Sequence, residues 1–162
     1  MSNNIELEQV VVDVINNERK AVIKEMKKVL AGLHIQYHNL RSFHWNVTGP
    51  HFFTLHEKFE ELYTDISAKV DETAERILTL GAKPGISLSH TQYLSDLSEG
   101  SDLTESREMV QAVIDGNELL IRDISQLIRS AANIDDEGTI DTFTGYITEL
   151  QKTNWMLKAF LG

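Results

Sequence analysis

Five side chains that can bind a metal ion occur within one stretch of 32 residues. They are His44, His56, Glu60, Asp71 and Glu75. Imidazole and carboxylate together form a ligand set used for non-haem ferrous iron, and the additional carboxylate oxygens suit iron as it oxidises. The stretch therefore predicts a metal site.

The last four of these residues are predicted to share one face of a helix. Residues four apart on a helix point the same way. With His56 at zero, a step of about 100° places Glu60 near 40°, Asp71 near 60° and Glu75 near 100°. The two pairs are nevertheless roughly 16 Å apart along the axis, at about 1.5 Å per residue. One chain thus offers two half-sites, too far apart for a single ion.

A second copy of the helix can bring the two kinds of half-site together. If it packs antiparallel about a two-fold axis near residue 65 or 66, His56 and Glu60 of one chain meet Asp71 and Glu75 of the other. Two equivalent sites then form in each dimer. The simpler alternative is an amphipathic helix whose polar stripe is only solvated.

This ligand set could bind either iron or zinc. His56-Glu57 begins like the zinc-protease motif His-Glu-x-x-His, but residue 60 is glutamate, and no serine or cysteine catalytic signature surrounds it. These absences favour iron. No histidine has a glutamate three residues before it, so the Glu-x-x-His pattern of sites inside a bundle is missing. We therefore expect the site outside the bundle core.

The apolar pattern predicts an all-α chain. Apolar residues recur every three or four positions from about Val14 to Val47, and Thr48-Gly49-Pro50 should end that helix. A second helix is predicted from Thr54, capped by a Thr54–Glu57 box, to just before Gly81. A third is predicted from about Thr104 to Ala132, and a fourth from about Glu137 to Leu161.

Residues 81–103 are long enough to cross a bundle of roughly 40 Å. We expect a short helix at His90–Leu97 within them. A four-helix bundle with one long crossover is the ferritin-like arrangement. We assign 16–162 to this bundle domain and 1–15 to an N-terminal extension.

The composition excludes several classes of protein. There are no cysteines, which excludes thiolate metal sites and cysteine-held iron–sulfur clusters. No apolar run approaches the roughly 20 residues that span a membrane, so we expect a cytoplasmic protein. The formal net charge of −10 argues against a general nucleic-acid coat.

The same residues resemble a known family. Residues 44–76 read HWNVTGPHFFTLHEKFEELYTDISAKVDETAER, and the chain ends in NWMLKAFLG. Both stretches are similar to those of the Dps miniferritins, the DNA-binding proteins from starved cells. The resemblance implies a hollow homododecamer that oxidises Fe(II), preferably with hydrogen peroxide, and stores the ferric mineral. It implies a ferroxidase site made of His44, His56 and Glu60 from one chain and Asp71 and Glu75 from its partner.

In two respects the sequence departs from the family pattern. Residue 60 is glutamate where many members have aspartate. Family members that bind DNA commonly use a terminus rich in lysine and arginine, whereas no basic side chain here precedes Arg19. We expect DNA binding to be weak or absent. The alternative function is nucleoid binding through a basic face of the first helix, at Lys20, Lys24, Lys27 and Lys28.

Acidic residues also cluster where the last helix should begin. Asp136 and Asp141 match acidic positions that the resemblance assigns to a three-fold pore, where they would form an entry funnel for iron. The simpler interpretation is helix capping and interaction with the helix dipole.

Overall fold

The chain folds as an all-α protein. A computed structural model describes residues 2–85, 87–100 and 102–162, with side chains from residue 16 onward. Within these ranges there are five helices and no strand. The helices are α1 (Ser2–Asn46), α2 (Phe52–Thr79), α3 (Leu88–Leu94), α4 (Ser106–Ala132) and α5 (Glu137–Leu161). No helix in the described ranges is long and apolar enough to cross a membrane.

Contacts between the long helices give the topology of the bundle. Phe43 packs on Phe59, and Tyr37 packs on Tyr63, so α1 and α2 are antiparallel neighbours. Lys28 pairs with Asp123, while Gln36 bonds to the carbonyl of Val113 and the side chain of Asn117, so α4 is also antiparallel to α1. Helices α2 and α4 therefore run in the same direction. The connection between them must return the chain along the bundle, which confirms the ferritin-like arrangement with one long crossover.

Three amide side chains link α1, α4 and α5 inside the core. Gln36 donates to Asn117, Asn117 donates to Asn154, and Asn154 donates to the carbonyl oxygen of Ile114. All three amides are buried. A Cβ at Gly116 would lie 2.4 Å from Oε1 of Gln36, so glycine is what lets this amide approach α4. The buried amides at the centre of the bundle are thus hydrogen-bonded to one another and to the backbone.

The first helix starts earlier than the sequence pattern predicted. We placed its start near Val14, and the helix begins at Ser2. Residues 2–13 contain neither proline nor glycine, so nothing in the chain ends the helix there. The side chains of 1–15 lie outside the described part, and the extension at 1–15 and the domain at 16–162 stay predictions.

The start of α2 also differs from the prediction. It begins at Phe52, not Thr54, and the predicted Thr54–Glu57 capping box is wrong, because the N-cap is His51. Backbone hydrogen bonds form this turn. The N–H of Phe52 donates to the carbonyl oxygen of Gly49, and the N–H of Leu55 donates to the carbonyl oxygen of His51. The side chain of His51 makes no capping hydrogen bond within the described residues.

The bounds of the short crossover helix and the start of α4 differ slightly from the predicted ones. The bounds of the last helix match the prediction. The short helix is Leu88–Leu94 and not His90–Leu97, because the side chain of Ser87 accepts from the N–H of His90 and caps it. Helix α4 begins at Ser106, two residues after the predicted start. Helix α5 spans Glu137–Leu161 as predicted.

Candidate metal centre

The end of α1 and the start of α2 are joined by a five-residue turn, 47–51. Gly49 has a φ of +92°, which favours glycine over residues with a side chain. The N–H of Val47 donates to the carbonyl of Phe43 and extends the last turn of α1. Because this turn is so short, His44 lies directly opposite His56.

The two histidines hold each other in place. Nδ1 of His44 is 2.8 Å from the carbonyl oxygen of His56, and Nδ1 of His56 is 2.8 Å from the carbonyl oxygen of His44. Their rings stack with centroids 3.8 Å apart and planes 20° apart. A carbonyl oxygen only accepts hydrogen bonds, so each Nδ1 carries the proton. In the neutral ring the lone pair is then on Nε2, which is the arrangement that a metal ligand needs.

A tyrosine that the sequence analysis missed completes this half-site. The ring of Tyr63 meets that of His44 edge-on, with centroids 5.4 Å apart. Burial raises the pKa of Tyr63, and the negative charge of Glu60 raises it further. Tyr63 follows Glu60 by three residues on α2, and this spacing was the available signal that the two side chains share a face.

The acidic residues of the second half-site lie farther along α2. Asp71 and Glu75 are exposed, and so is Glu60. Asp71 lines a groove of about 810 Å³ between α1 and α2, to which Tyr63, Thr64, Ser67 and Ala68 also contribute. No three His, Asp or Glu side chains come close enough to hold a metal ion among the described residues of this single chain. The structure thus brings His44, His56 and Glu60 to one end of α2, while Asp71 and Glu75 lie beyond Tyr63 towards the other.

The comparisons with known proteins agree with this architecture. A profile of the ferritin-like domain family matches residues 23–162. The chain is 42% identical over 142 residues to DNA protection during starvation protein 2 of Bacillus anthracis, which covers 88% of this chain and 97% of that protein. The chain belongs to the Dps family of ferritin-like proteins.

Solved structures of Dps proteins share the fold. A Dps protein from Bacillus brevis is 36% identical and superposes with a TM-score of 0.87, over 90% of this chain and 98% of that one. The Dps protein from Vibrio cholerae O1 is 38% identical with a TM-score of 0.87, over 90% of this chain and 92% of that one. It is described as a member of a broad superfamily of ferritin-like diiron-carboxylate proteins.

The two acidic residues predicted at the Dps pore differ in environment. Asp136 is the N-cap of α5, accepting from the N–H of Thr139, and it pairs with Arg76 of α2. Burial disfavours its charge, but the hydrogen bonds from Thr139 and the charge of Arg76 outweigh burial, so the pKa of Asp136 lies below its ordinary value. The capping interpretation is confirmed for Asp136. Asp141 is exposed one turn further on.

The basic stripe on α1 is smaller than the sequence suggested. Lys20 and Lys24 are exposed and Lys27 is partly exposed. Lys28 instead bonds to Asp96 of the crossover and Asp123 of α4. The hydrogen bond to Asp96 is the main reason why the pKa of Lys28 is raised. Three of the four lysines are therefore available to a polyanion.

Proposed function

We propose that this Dps-family protein is a ferroxidase that stores and detoxifies iron. It binds Fe(II) at sites shared between two subunits, oxidises it with hydrogen peroxide in preference to dioxygen, and keeps the ferric mineral inside a hollow homododecamer. The protein acts in the cytoplasm and protects the cell from oxidative damage. The observation that carries the proposal is the reciprocal hydrogen bonding of His44 and His56, which leaves both Nε2 atoms free to bind Fe(II).

The site is proposed to be complete only in a dimer. His44, His56 and Glu60 come from one chain, and Asp71 and Glu75 of the partner subunit supply the remaining carboxylates. Two features of α2 support this arrangement. Its ligand pairs share a face about 16 Å apart, and Thr64, Ser67 and Ala68, which are exposed near the middle of that face, have small side chains. Small side chains let a second helix approach closely at the expected two-fold axis.

The ligand set supports a two-electron reaction with peroxide. Two bound Fe(II) ions give up one electron each, and the O–O bond of one hydrogen peroxide molecule breaks with uptake of two protons to form two waters. Because both electrons are delivered together, no hydroxyl radical needs to be released. The carboxylates of Glu60 and of the partner's Asp71 and Glu75 balance the extra positive charge of the ferric product.

An anaerobic titration tests this function. Fe(II) is added to the purified protein without oxygen until binding saturates, and then either peroxide or dioxygen is supplied in stoichiometric amount. We expect much faster oxidation with peroxide and little spin-trapped hydroxyl radical. Equal rates with the two oxidants, or abundant radical, would show that the proposed chemistry is wrong.

A further inference from the structure

Helix α2 leaves two large apolar side chains exposed to solvent. Phe53 is 85% exposed and Leu78 is 54% exposed. They lie near opposite ends of the helix, roughly 37 Å apart at about 1.5 Å per residue. Neither can cover the other within one chain, so both ends of α2 present apolar surface that the subunit leaves in water.

Both residues lie on the face of α2 that carries the proposed ligands. With His56 at zero, a step of about 100° per residue places Phe53 near 60° and Leu78 near 40°. The proposed ligands of α2 extend from zero to near 100° on the same scale. Phe53 precedes His56 by three residues, and Leu78 follows Glu75 by three. The two apolar residues are therefore equally far from the proposed two-fold axis, on opposite sides of it.

A face that packs against its own copy must be self-complementary, because each patch meets the patch on the other side of the axis. In the antiparallel pair that joins the half-sites, Phe53 lies opposite the partner's Leu78, so apolar surface meets apolar surface. His56 lies opposite the partner's Glu75 in the same register. The register that pairs a histidine with a carboxylate thus also pairs the two exposed apolar residues.

The carboxylates on this face oppose the pairing until a cation binds. Glu60 lies opposite the partner's Asp71, both side chains are exposed, and like charges repel. An apolar contact needs no cation, because it is driven by the removal of apolar surface from water. Such a contact is therefore suited to hold the two helices together before iron arrives.

We propose that Phe53 packs against Leu78 of the partner subunit at each end of the α2 pair, and that these two contacts set the register of the dimer. The inference rests on the proposed function, in which the metal site is shared between subunits. A slip of one helix along the other would expose both apolar contacts and separate both pairs of half-sites.

Crosslinking tests this contact directly, because the natural chain has no cysteine. Phe53→Cys and Leu78→Cys are combined in one chain, and both positions are exposed, so the fold should not change. The protein is treated in EDTA with a short bis-maleimide, which tolerates more misfit than a disulfide. We expect covalent dimers and no larger product on a denaturing gel, since a two-fold pairing closes after two chains.

The matched control combines Thr54→Cys with Leu78→Cys. Thr54 is the exposed neighbour of Phe53, but it lies about 100° further round α2 and lines a groove with Met156 and Phe160 of α5. The control should lose most of the dimer product. Equal dimer yields from the two variants, no product from the first, or a ladder of trimers and longer chains would overturn the inference.

Failure of this inference is distinguishable from failure of the proposed function. If the wild type oxidises Fe(II) but the Phe53→Cys/Leu78→Cys variant does not crosslink, the apolar contact alone is wrong. If the variant crosslinks to dimers but the wild type neither binds nor oxidises Fe(II), the contact is supported and the proposed function is wrong.

Discussion

His44 and His56 fix each other's tautomer across the α1–α2 turn, since each Nδ1 donates to the other residue's carbonyl oxygen at 2.8 Å. The backbone that carries the two rings thus orients them for the ligand role that we propose. Each residue has two roles, because it offers a lone pair on Nε2 and also satisfies the carbonyl of its neighbour. The exposed Asp71 makes no side-chain hydrogen bond or ion pair with the described residues.

This difference predicts distinct effects of two ligand variants. His56→Ala removes a ligand and the donor to the His44 carbonyl, so Fe(II) affinity should fall at least roughly 10- to 100-fold and the free energy of unfolding by about 1 kcal/mol. Asp71→Ala should lose similar affinity and leave stability unchanged. Anaerobic Fe(II) titration and urea unfolding measure the two quantities. Equal destabilisation by both variants would contradict the account of the histidine pair.

A variant of Asp141 tests the proposed iron funnel more clearly than one of Asp136, because Asp136 already caps α5. Asp141→Asn removes one charge at nearly constant shape, so initial iron uptake at low ionic strength should slow about threefold. The difference should disappear at high salt, where charges are screened. Asp102→Asn, an exposed change in the crossover, is the control. If Asp141→Asn takes up iron as fast as the wild type at low salt, the acidic cluster serves only for helix capping and interaction with the helix dipole.

The lowered pKa of Asp136 predicts how its contribution depends on pH. Its ordinary pKa is 3.8 and its folded pKa is lower. The charged form therefore stabilises the folded state above about pH 4, and this stabilisation is lost as pH falls through the folded pKa. Asp136→Asn keeps a good capping residue but removes the charge that pairs with Arg76. Urea unfolding should show a deficit of about 1 kcal/mol at neutral pH, and this deficit should shrink as the pH falls below 3.8 through the folded pKa. A deficit that does not change as the pH is lowered would mean that the charge is not responsible.

DNA binding should be weak or absent at neutral pH and physiological salt. The net charge of −10 per chain repels phosphate. Lys28, which belongs to the predicted basic stripe, is held by Asp96 and Asp123. A gel-shift titration with and without Lys24→Glu measures this. Binding that survives about 150 mM salt and is lost in Lys24→Glu would instead support the nucleoid-binding alternative.

Local sequence patterns predicted much of this fold, but not the contacts between helices. The bounds of α5 followed from its acidic start and its apolar spacing. The start of α1 did not, because the apolar spacing becomes regular only from about Val14, although residues 2–13 contain no proline or glycine that would end the helix. The edge-on contact of Tyr63 with His44 depends on the rotation of two helices about their axes, which spacing within one helix does not define. The pairing of Lys28 with Asp123 joins residues 95 apart and depends on the packing of α1 on α4. The proposed ligand set came from residue types, their spacing and the family resemblance, and both the set and its assembly from two chains are still predictions.

Complementation between two defective chains tests the shared site most directly. One chain carries His56→Ala and the other Asp71→Ala, and each alone forms dimers in which every site lacks a ligand. In a mixed dimer, one site lacks both His56 and Asp71. The other site combines the intact histidine half of the second chain with the intact acidic half of the first.

The measurement is the ferroxidase activity of the two chains co-expressed at equal levels. Random pairing makes about half the dimers mixed, each with one good site of two, so roughly a quarter of the wild-type activity should return. As the matched control, His56→Ala with Glu60→Ala places both lesions in the same half-site and should restore nothing. Recovery near one quarter in the first mixture alone is the predicted result. No recovery in the first mixture would contradict a site shared between subunits.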